Sequence, residues 1–120
     1  MPVHFPLNSD RRNERQPPMK EFDIYVPLFT NQGRRIARQK LTRLKKLLTN
    51  CFGGLTYFPQ RNEGLWKVGR VTFRDQIVIF RVLSNNPASA TKFLKQLKKR
   101  IKRDWKQNDV LIIARSVQVL

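Results

Sequence analysis

The chain has 120 residues, a length typical of one domain. Its hydrophobic content of 40% is enough for one core, which excludes a chain that is disordered throughout. Twenty-five lysines and arginines against eight acidic residues leave a net charge of +17, and self-repulsion on this scale favours a polyanionic partner.

The cysteine content and the hydropathy exclude several further classes of protein. The single cysteine, Cys51, excludes an internal disulfide framework and a cysteine-based zinc site. No apolar run approaches the roughly 20 residues that a membrane helix requires, and the first residues lack the apolar segment of a secretory signal. We therefore expect a cytoplasmic protein that makes no membrane contact.

The first 20 residues differ in composition from the rest. They hold four of the seven prolines and a run of charged and polar residues, with neither a helical nor a strand period. We predict a flexible arm over residues 1–20 and a single domain over residues 21–120.

The spacing of apolar residues predicts the secondary-structure elements in the first half of the domain. Alternating apolar residues predict a strand over residues 22–26. Apolar residues at spacings of three and four predict a helix from about residue 34 to residue 52, which Gly53 and Gly54 end. A short strand over residues 55–58 and a loop over residues 60–64 follow, and then a hairpin of residues 65–73 and 76–83 that turns at Arg74 and Asp75.

The second half of the domain adds a helix and a strand to the predicted order of elements. Asn86 is predicted to cap a second helix, with Pro87 at its first position, and apolar residues from Ala90 to Trp105 mark its buried face. Residues 110–119 form the last predicted strand. The order strand, helix, strand, strand, helix, strand predicts an α+β ferredoxin-like split βαβ fold, with two helices on one face of a four-stranded antiparallel sheet.

Two of the predicted strands, residues 77–82 and 110–114, are apolar on both alternating faces. Strands have this composition when both faces of their sheet are covered, and two helices cover only one face. A second copy of the chain is the simplest cover, so we predict a face-to-face homodimer. The alternative is a monomer, since central strands of monomeric sheets also show this pattern.

The helical segments are strongly basic. They carry fifteen of the twenty-five basic residues and one acidic residue, Asp104, whereas ordinary solvated faces mix the two signs. This pattern predicts non-catalytic binding of nucleic acid, either DNA or RNA, mainly through its phosphates. The predicted contact residues are Arg34, Arg35, Arg38, Arg43, Lys45, Lys46, Lys92, Lys95, Lys98, Lys99, Lys102, Arg103 and Lys106.

Two alternatives remain open. The basic helices would also suit an accessory protein-interaction module that docks on an acidic protein or a ribonucleoprotein. A metal-dependent nuclease would need converging carboxylates, and the candidates within the domain are Glu21, Asp23, Glu63, Asp75 and Asp109.

The sequence offers no suitable residues for catalysis by histidine or cysteine. The one histidine, His4, lies in the predicted arm, and Cys51 is expected to be buried and inert on the apolar side of the first helix. Phosphate-binding glycine motifs are absent from the sequence. We therefore predict no catalytic residue, no metal site and no cofactor.

The FGGLT segment at residues 52–56 and the GLW segment at residues 64–66 resemble those of small bacterial proteins of uncharacterised function. The resemblance covers residues 21–120 and implies the same ferredoxin-like order, but no activity. The helices depart from that group in being almost entirely basic.

A ligand pocket is a further hypothesis. It would be bounded by Tyr25, Trp66 and the turn formed by Gly53 and Gly54. The alternative role for Trp66 is structural, as a cover for the exposed glycine backbone.

Overall fold

The computed structural model describes residues 18–120 apart from the side chains of Trp66, Val68 and Phe73. The elements are β1 (Met19–Pro27), α1 (Arg38–Phe52), β2 (Thr56–Val68), β3 (Val71–Ser84), α2 (Pro87–Asp104) and β4 (Ile112–Val117). The four strands form one antiparallel sheet in the order β2-β3-β1-β4. This is the ferredoxin-like arrangement, which confirms the predicted fold.

The two helices lie antiparallel on one face of the sheet. Phe52, at the end of α1, makes an edge-to-face contact with Phe93 of α2, with ring centroids 5.8 Å apart. At the other end, Lys40 Nζ donates to the backbone carbonyl of Asp104 over 2.8 Å. The core lies between this pair and the sheet, and its members include Phe22, Ile24, Val26, Val78, Phe80, Val82, Leu44, Leu48, Leu94, Leu97 and Ile101.

The predicted helix boundaries at Gly53 and Asn86 are confirmed. Gly53 has a φ of 75°, in the left-handed region that glycine enters without steric cost, and its N–H donates to the carbonyl of Thr49. Asn86 accepts a hydrogen bond from the N–H of Ser89, and Pro87 occupies the first helical position.

The predicted loop over residues 60–64 and the turn at Arg74 and Asp75 are wrong. β2 runs from Thr56 to Val68, with a register shift between Phe58 and Asn62. This irregularity contains Pro59, which has no N–H for a regular ladder. The hairpin turns at Gly69, whose φ of 62° suits the first central position of a type II′ turn.

The hairpin extends beyond the rest of the sheet. β1 pairs with β3 only as far as Ile77, while β2 and β3 continue to pair up to Val68 and Val71. Residues 62–76 therefore form a two-stranded ribbon in which Leu65 is 60% exposed. The many polar residues of the ribbon, which suggested a loop, are explained by this exposure.

The first helix begins later than predicted. The N–H of Ile36 donates to the carbonyl of Leu28, and Arg35 forms an isolated bridge with Phe29, so helical bonding starts only at Arg38. The expected burial of Cys51 is also wrong, since this residue is exposed. The buried side of α1 follows Leu44 and Leu48 and leaves the cysteine outside it.

The ends of β1 and β4 differ slightly from their predicted positions. β1 begins at Met19, inside the predicted arm, whereas residues 1–17 of that arm lie outside the described residues. β4 covers only Ile112–Val117, and Val110 is buried just before it. No helix among the described residues is long and apolar enough to cross a membrane.

Leu48 provides a test of the core. It is fully buried, so Leu48→Ala should lower the free energy of unfolding by about 2–5 kcal/mol through lost burial and a residual cavity. The matched change Leu65→Ala, on the exposed ribbon, should cost less than about 1 kcal/mol. Urea unfolding followed by circular dichroism measures both, and equal losses would contradict this packing.

Candidate nucleic-acid interface

The outward side of the helix pair is a continuous basic surface. α1 carries five basic residues and no acidic residue, and α2 carries seven basic residues and one acidic residue, Asp104. The helices are about 22 and 27 Å long at 1.5 Å per residue. The exposed members define the basic helix surface: Arg38, Arg43, Lys46, Lys92, Lys95, Lys99, Arg100 and Arg103.

The other predicted contact residues lie at the margins of this surface. Arg34 and Arg35 precede α1, and Lys106 follows α2; all three are exposed. Lys45 is half-buried, and its ammonium lies 3.8 Å from the centroid of the Tyr57 ring. Because the cation rests on the ring face, it is held in place without a carboxylate partner.

Nearby acidic residues are each paired with cations of α2. Asp109 lies 3.3 Å from Lys98 Nζ and 4.0 Å from Lys102 Nζ, and Asp104 lies 2.8 Å from Arg103 Nε. The hydrogen bond from Arg103 lowers the pKa of Asp104, and the backbone N–H of Val110, with Lys98, lowers the pKa of Asp109. Both remain ionised at neutral pH, and the salt bridges between described residues leave the other exposed cations of α2 unneutralised.

The opposite side of the sheet, which we call the outer sheet face, has a different electrostatic character. At its centre lie two acidic residues of β1, Glu21 and Asp23, with Arg81 of β3 and Arg115 of β4. Arg81 Nε lies 2.7 Å from Asp23 Oδ1 and 2.8 Å from Glu21 Oε1. Arg115 Nη1 lies 2.9 Å from Asp23 Oδ2 and 3.0 Å from Glu21 Oε2.

This four-residue cluster carries no net charge. Asp23 is only 3% exposed, because the two guanidinium groups cover it. Its hydrogen bond with Arg81, joined by that with Arg115, lowers the pKa of Asp23 although burial acts in the opposite direction. The Arg81 guanidinium also lies 4.9 Å from the centroid of the Phe58 ring.

Half-buried apolar side chains surround the cluster. They alternate with core residues along their strands, and they are Met19, Tyr25, Phe58, Ile77, Ile79, Leu83, Ile113 and Val117. The alternating apolar pattern predicted this composition, but not the charged centre. The available signal was charge of opposite sign inside two apolar strands, Asp23 in β1 and Arg81 in β3.

The hypothetical ligand pocket is not assembled by the described residues. Tyr25 lies on the outer sheet face, because its neighbours Ile24 and Val26 point into the core. Gly53 and Gly54 follow α1 on the helix side. The side chain of Trp66 lies outside the described residues.

The carboxylates considered for a metal site are distributed over the molecule. Glu21 and Asp23 belong to the charged cluster, Asp109 contacts Lys98, and Glu63 lies 3.9 Å from Arg74. Burial raises the pKa of Asp75, the remaining candidate. Within residues 18–120, no three histidine, cysteine or acidic side chains come close enough together to hold a metal ion.

Comparison with known proteins supports the fold. No protein-family model and no curated protein matches the sequence. Among solved structures, the chain is similar to a phage SAM lyase in complex with S-methyl-5′-thioadenosine, with a TM-score of 0.62 at 14% sequence identity. The likeness covers 87% of this chain and 86% of that chain. At this identity it shows the fold alone, and the resemblance to small bacterial proteins stays a prediction.

The charged cluster has a consequence for acid stability. The pKa of Asp23 is lower in the folded protein than in the unfolded chain, so its stabilisation is present at neutral pH and is lost as the pH falls below about 4. Asp23→Asn should lower the free energy of unfolding at neutral pH by about 1–3 kcal/mol and reduce its dependence on acid. Asp75→Asn is the control, since the raised pKa of Asp75 has the opposite sign.

Urea unfolding at neutral pH and near pH 3 measures both variants. If Asp23→Asn leaves the acid dependence of the free energy of unfolding unchanged, the cluster does not hold Asp23 in its ionised form.

Proposed function

We propose that this protein binds nucleic acid without catalysing a reaction, and that the basic helix surface contacts the phosphates. The observation that carries the proposal is the scarcity of charge compensation on two adjacent helices. Their twelve basic residues face one acidic residue of the same helices, Asp104, which is already paired with Arg103.

Neighbouring cations on the two helices repel each other. Lysines such as Lys95 and Lys99, one helical turn apart, repel each other by a few tenths of a kcal/mol per pair. Phosphates relieve this repulsion, and neutralising them releases condensed counterions into solution. A surface that makes such contacts binds the polymer with an affinity that falls steeply with salt. Phosphate contacts fix position and orientation, and they do not read the base sequence.

The distribution of charge over residues 18–120 favours the helix side. The cluster at the centre of the outer sheet face is neutral, because two acidic residues offset two arginines. A polyanion is therefore attracted to the basic helix surface rather than to the outer sheet face.

Charge reversal on α2 tests the proposal. The double change Lys95→Glu and Lys99→Glu should weaken binding to a duplex oligonucleotide by at least about tenfold, and lower the log–log salt slope by about 0.9 for each phosphate that the protein no longer neutralises. The matched control is Lys67→Glu with Arg70→Glu, which alters the net charge equally on the exposed ribbon. Fluorescence anisotropy over a salt titration measures all three proteins, with circular dichroism as the check on folding.

The outcomes separate the proposal from its alternatives. Equal weakening by both double variants would mean that net charge, rather than the helix surface, drives binding. Absence of oligonucleotide binding near physiological salt would favour an acidic protein or ribonucleoprotein as the partner. Cleavage of the labelled oligonucleotide that requires a divalent ion would instead identify a nuclease.

We also propose a second copy of the chain as the cover of the outer sheet face. The neutral cluster and its apolar surround permit two copies to approach through this face, whereas the basic helix surfaces repel each other. In a face-to-face dimer the two basic helix surfaces lie on opposite outer sides. Because Glu21 and Asp23 are already paired with Arg81 and Arg115 of the same chain, neither copy brings an uncompensated charge to this contact.

Salt dependence distinguishes this contact from polyanion binding. Dimerisation should strengthen as salt screens the repulsion between two chains of net charge +17, while nucleic-acid binding weakens. Sedimentation equilibrium at low and high salt measures the association, and Ile113→Lys on the outer sheet face should abolish it. A monomer at all salt concentrations would contradict the dimer.

A further inference from the structure

A groove lies between the first half of α1 and the edge strand β2. Its volume is about 680 Å³, within the range of roughly 300–1,000 Å³ that is usual for small-molecule sites. Four cationic side chains line it: Arg35 before α1, Arg38 and Lys45 on α1, and Arg61 on β2.

None of the described residues that line the groove is acidic. Arg35, Arg38 and Arg61 are exposed, and no salt bridge between described residues involves them. Lys45 is oriented by the Tyr57 ring rather than by a carboxylate. Four cations that line one groove without a described counter-charge favour a phosphate, because guanidinium groups bind it with paired, charge-assisted hydrogen bonds.

The backbone at the start of α1 adds to the positive electrostatic potential in the groove. α1 has no acidic residue in its first turn, and Ala37 at its start provides no side-chain cap. The first N–H groups of a helix carry a partial positive charge. At the start of α1 they receive no side-chain cap, and the N–H of Lys40 donates to the carbonyl of Ala37. This contribution is secondary to that of the four cationic side chains.

The rest of the lining is apolar. Leu41 supplies apolar surface on the α1 side of the groove, and Tyr57 and Pro59 supply it on the β2 side, where Tyr57 is 37% exposed. The Tyr57 ring is fixed from the core side by an edge-to-face contact with Phe80, with centroids 5.2 Å apart. A bare inorganic anion would not use such a surface, whereas a nucleoside phosphate has an aromatic base whose face packs against it.

We infer that the groove between α1 and β2 is a binding site for a nucleoside phosphate, held by Arg35, Arg38, Lys45 and Arg61. The inference deepens the proposed function and rests on it, since the unit bound is one nucleotide of the polymer. An unpaired nucleotide is required, because a base stacked inside a duplex does not reach the apolar surface. The site therefore assigns a preference for single-stranded nucleic acid. Arg38 belongs to both the groove and the basic helix surface, so a strand held in the groove continues over the helices.

The test uses the full chain and adenosine 5′-monophosphate as the probe, at one fixed ionic strength. Amide chemical shifts in ¹⁵N-labelled protein should move at the start of α1 and in residues 57–61 of β2. Inorganic phosphate should bind at least about threefold more weakly and adenosine more weakly still, because each lacks one half of the contacts. A single-stranded oligonucleotide should bind more tightly than a duplex of the same length.

Arg35→Gln with Arg38→Gln should weaken binding of the mononucleotide by about tenfold, through loss of paired hydrogen bonds to the phosphate. The matched control is Lys67→Gln with Arg70→Gln, which removes the same charge from the ribbon turn and should leave binding within about twofold. Arg61→Gln, on the other wall of the groove, is an independent variant should the first pair disturb the start of α1.

The failure of this inference and the failure of the proposed function are distinguishable. If oligonucleotides bind but the mononucleotide moves no groove amides, and the Arg35 and Arg38 variant matches its control, the groove inference is overturned and the proposed function stands. If the mononucleotide binds in the groove but oligonucleotides do not bind, the site stands with a free nucleotide as ligand and the proposed function fails. Shifts spread evenly over both helices would also overturn the groove inference.

Discussion

The position of β1 in the middle of the sheet is the constraint on which the rest of the structure depends. β1 pairs with β3 on one side and β4 on the other, and its residues alternate between the two faces. Phe22, Ile24 and Val26 enter the core beneath the helices, while Glu21 and Asp23 project to the other face. One strand thus determines both where the helices pack and where the arginines of β3 and β4 find partners.

That placement explains how a chain of net charge +17 separates its charges. Glu21 and Asp23 are committed to Arg81 and Arg115, so they do not neutralise the helices. The acidic residues near α2 are paired locally with Arg103, Lys98 and Lys102. The outcome is a neutral cluster on the outer sheet face opposite a strongly basic helix side, and this difference is why we propose partners of different chemistry for the two sides.

The groove lies where the basic side meets the edge of the sheet. Its cations come from three segments, the residues before α1, α1 itself and β2 after its irregularity. The register shift around Pro59 leaves the alternation of β2 unchanged, since Phe58 pairs with Ile79 and Asn62 with Ile77 on the outer sheet face. Tyr57, Pro59 and Arg61 therefore all line the groove on the side of α1. The proposed nucleotide site thus combines the residues at the start of α1 with the irregular part of β2.

Sequence periodicity was sufficient for the order of elements, the two helix faces and the positions of Gly53 and Asn86, because burial against one neighbouring layer imposes periods of 2 and 3.6 residues. Periodicity did not locate the hairpin turn. The polar residues Arg74 and Asp75 suggested a turn there, whereas the chain turns at Gly69, which has a positive φ. Periodicity also failed at Cys51, since the exact edge of a buried stripe depends on how α1 is rotated against the sheet. The charged cluster and the groove required the tertiary structure, because strand register and helix placement alone bring Asp23 to Arg81, and Arg38 to Arg61.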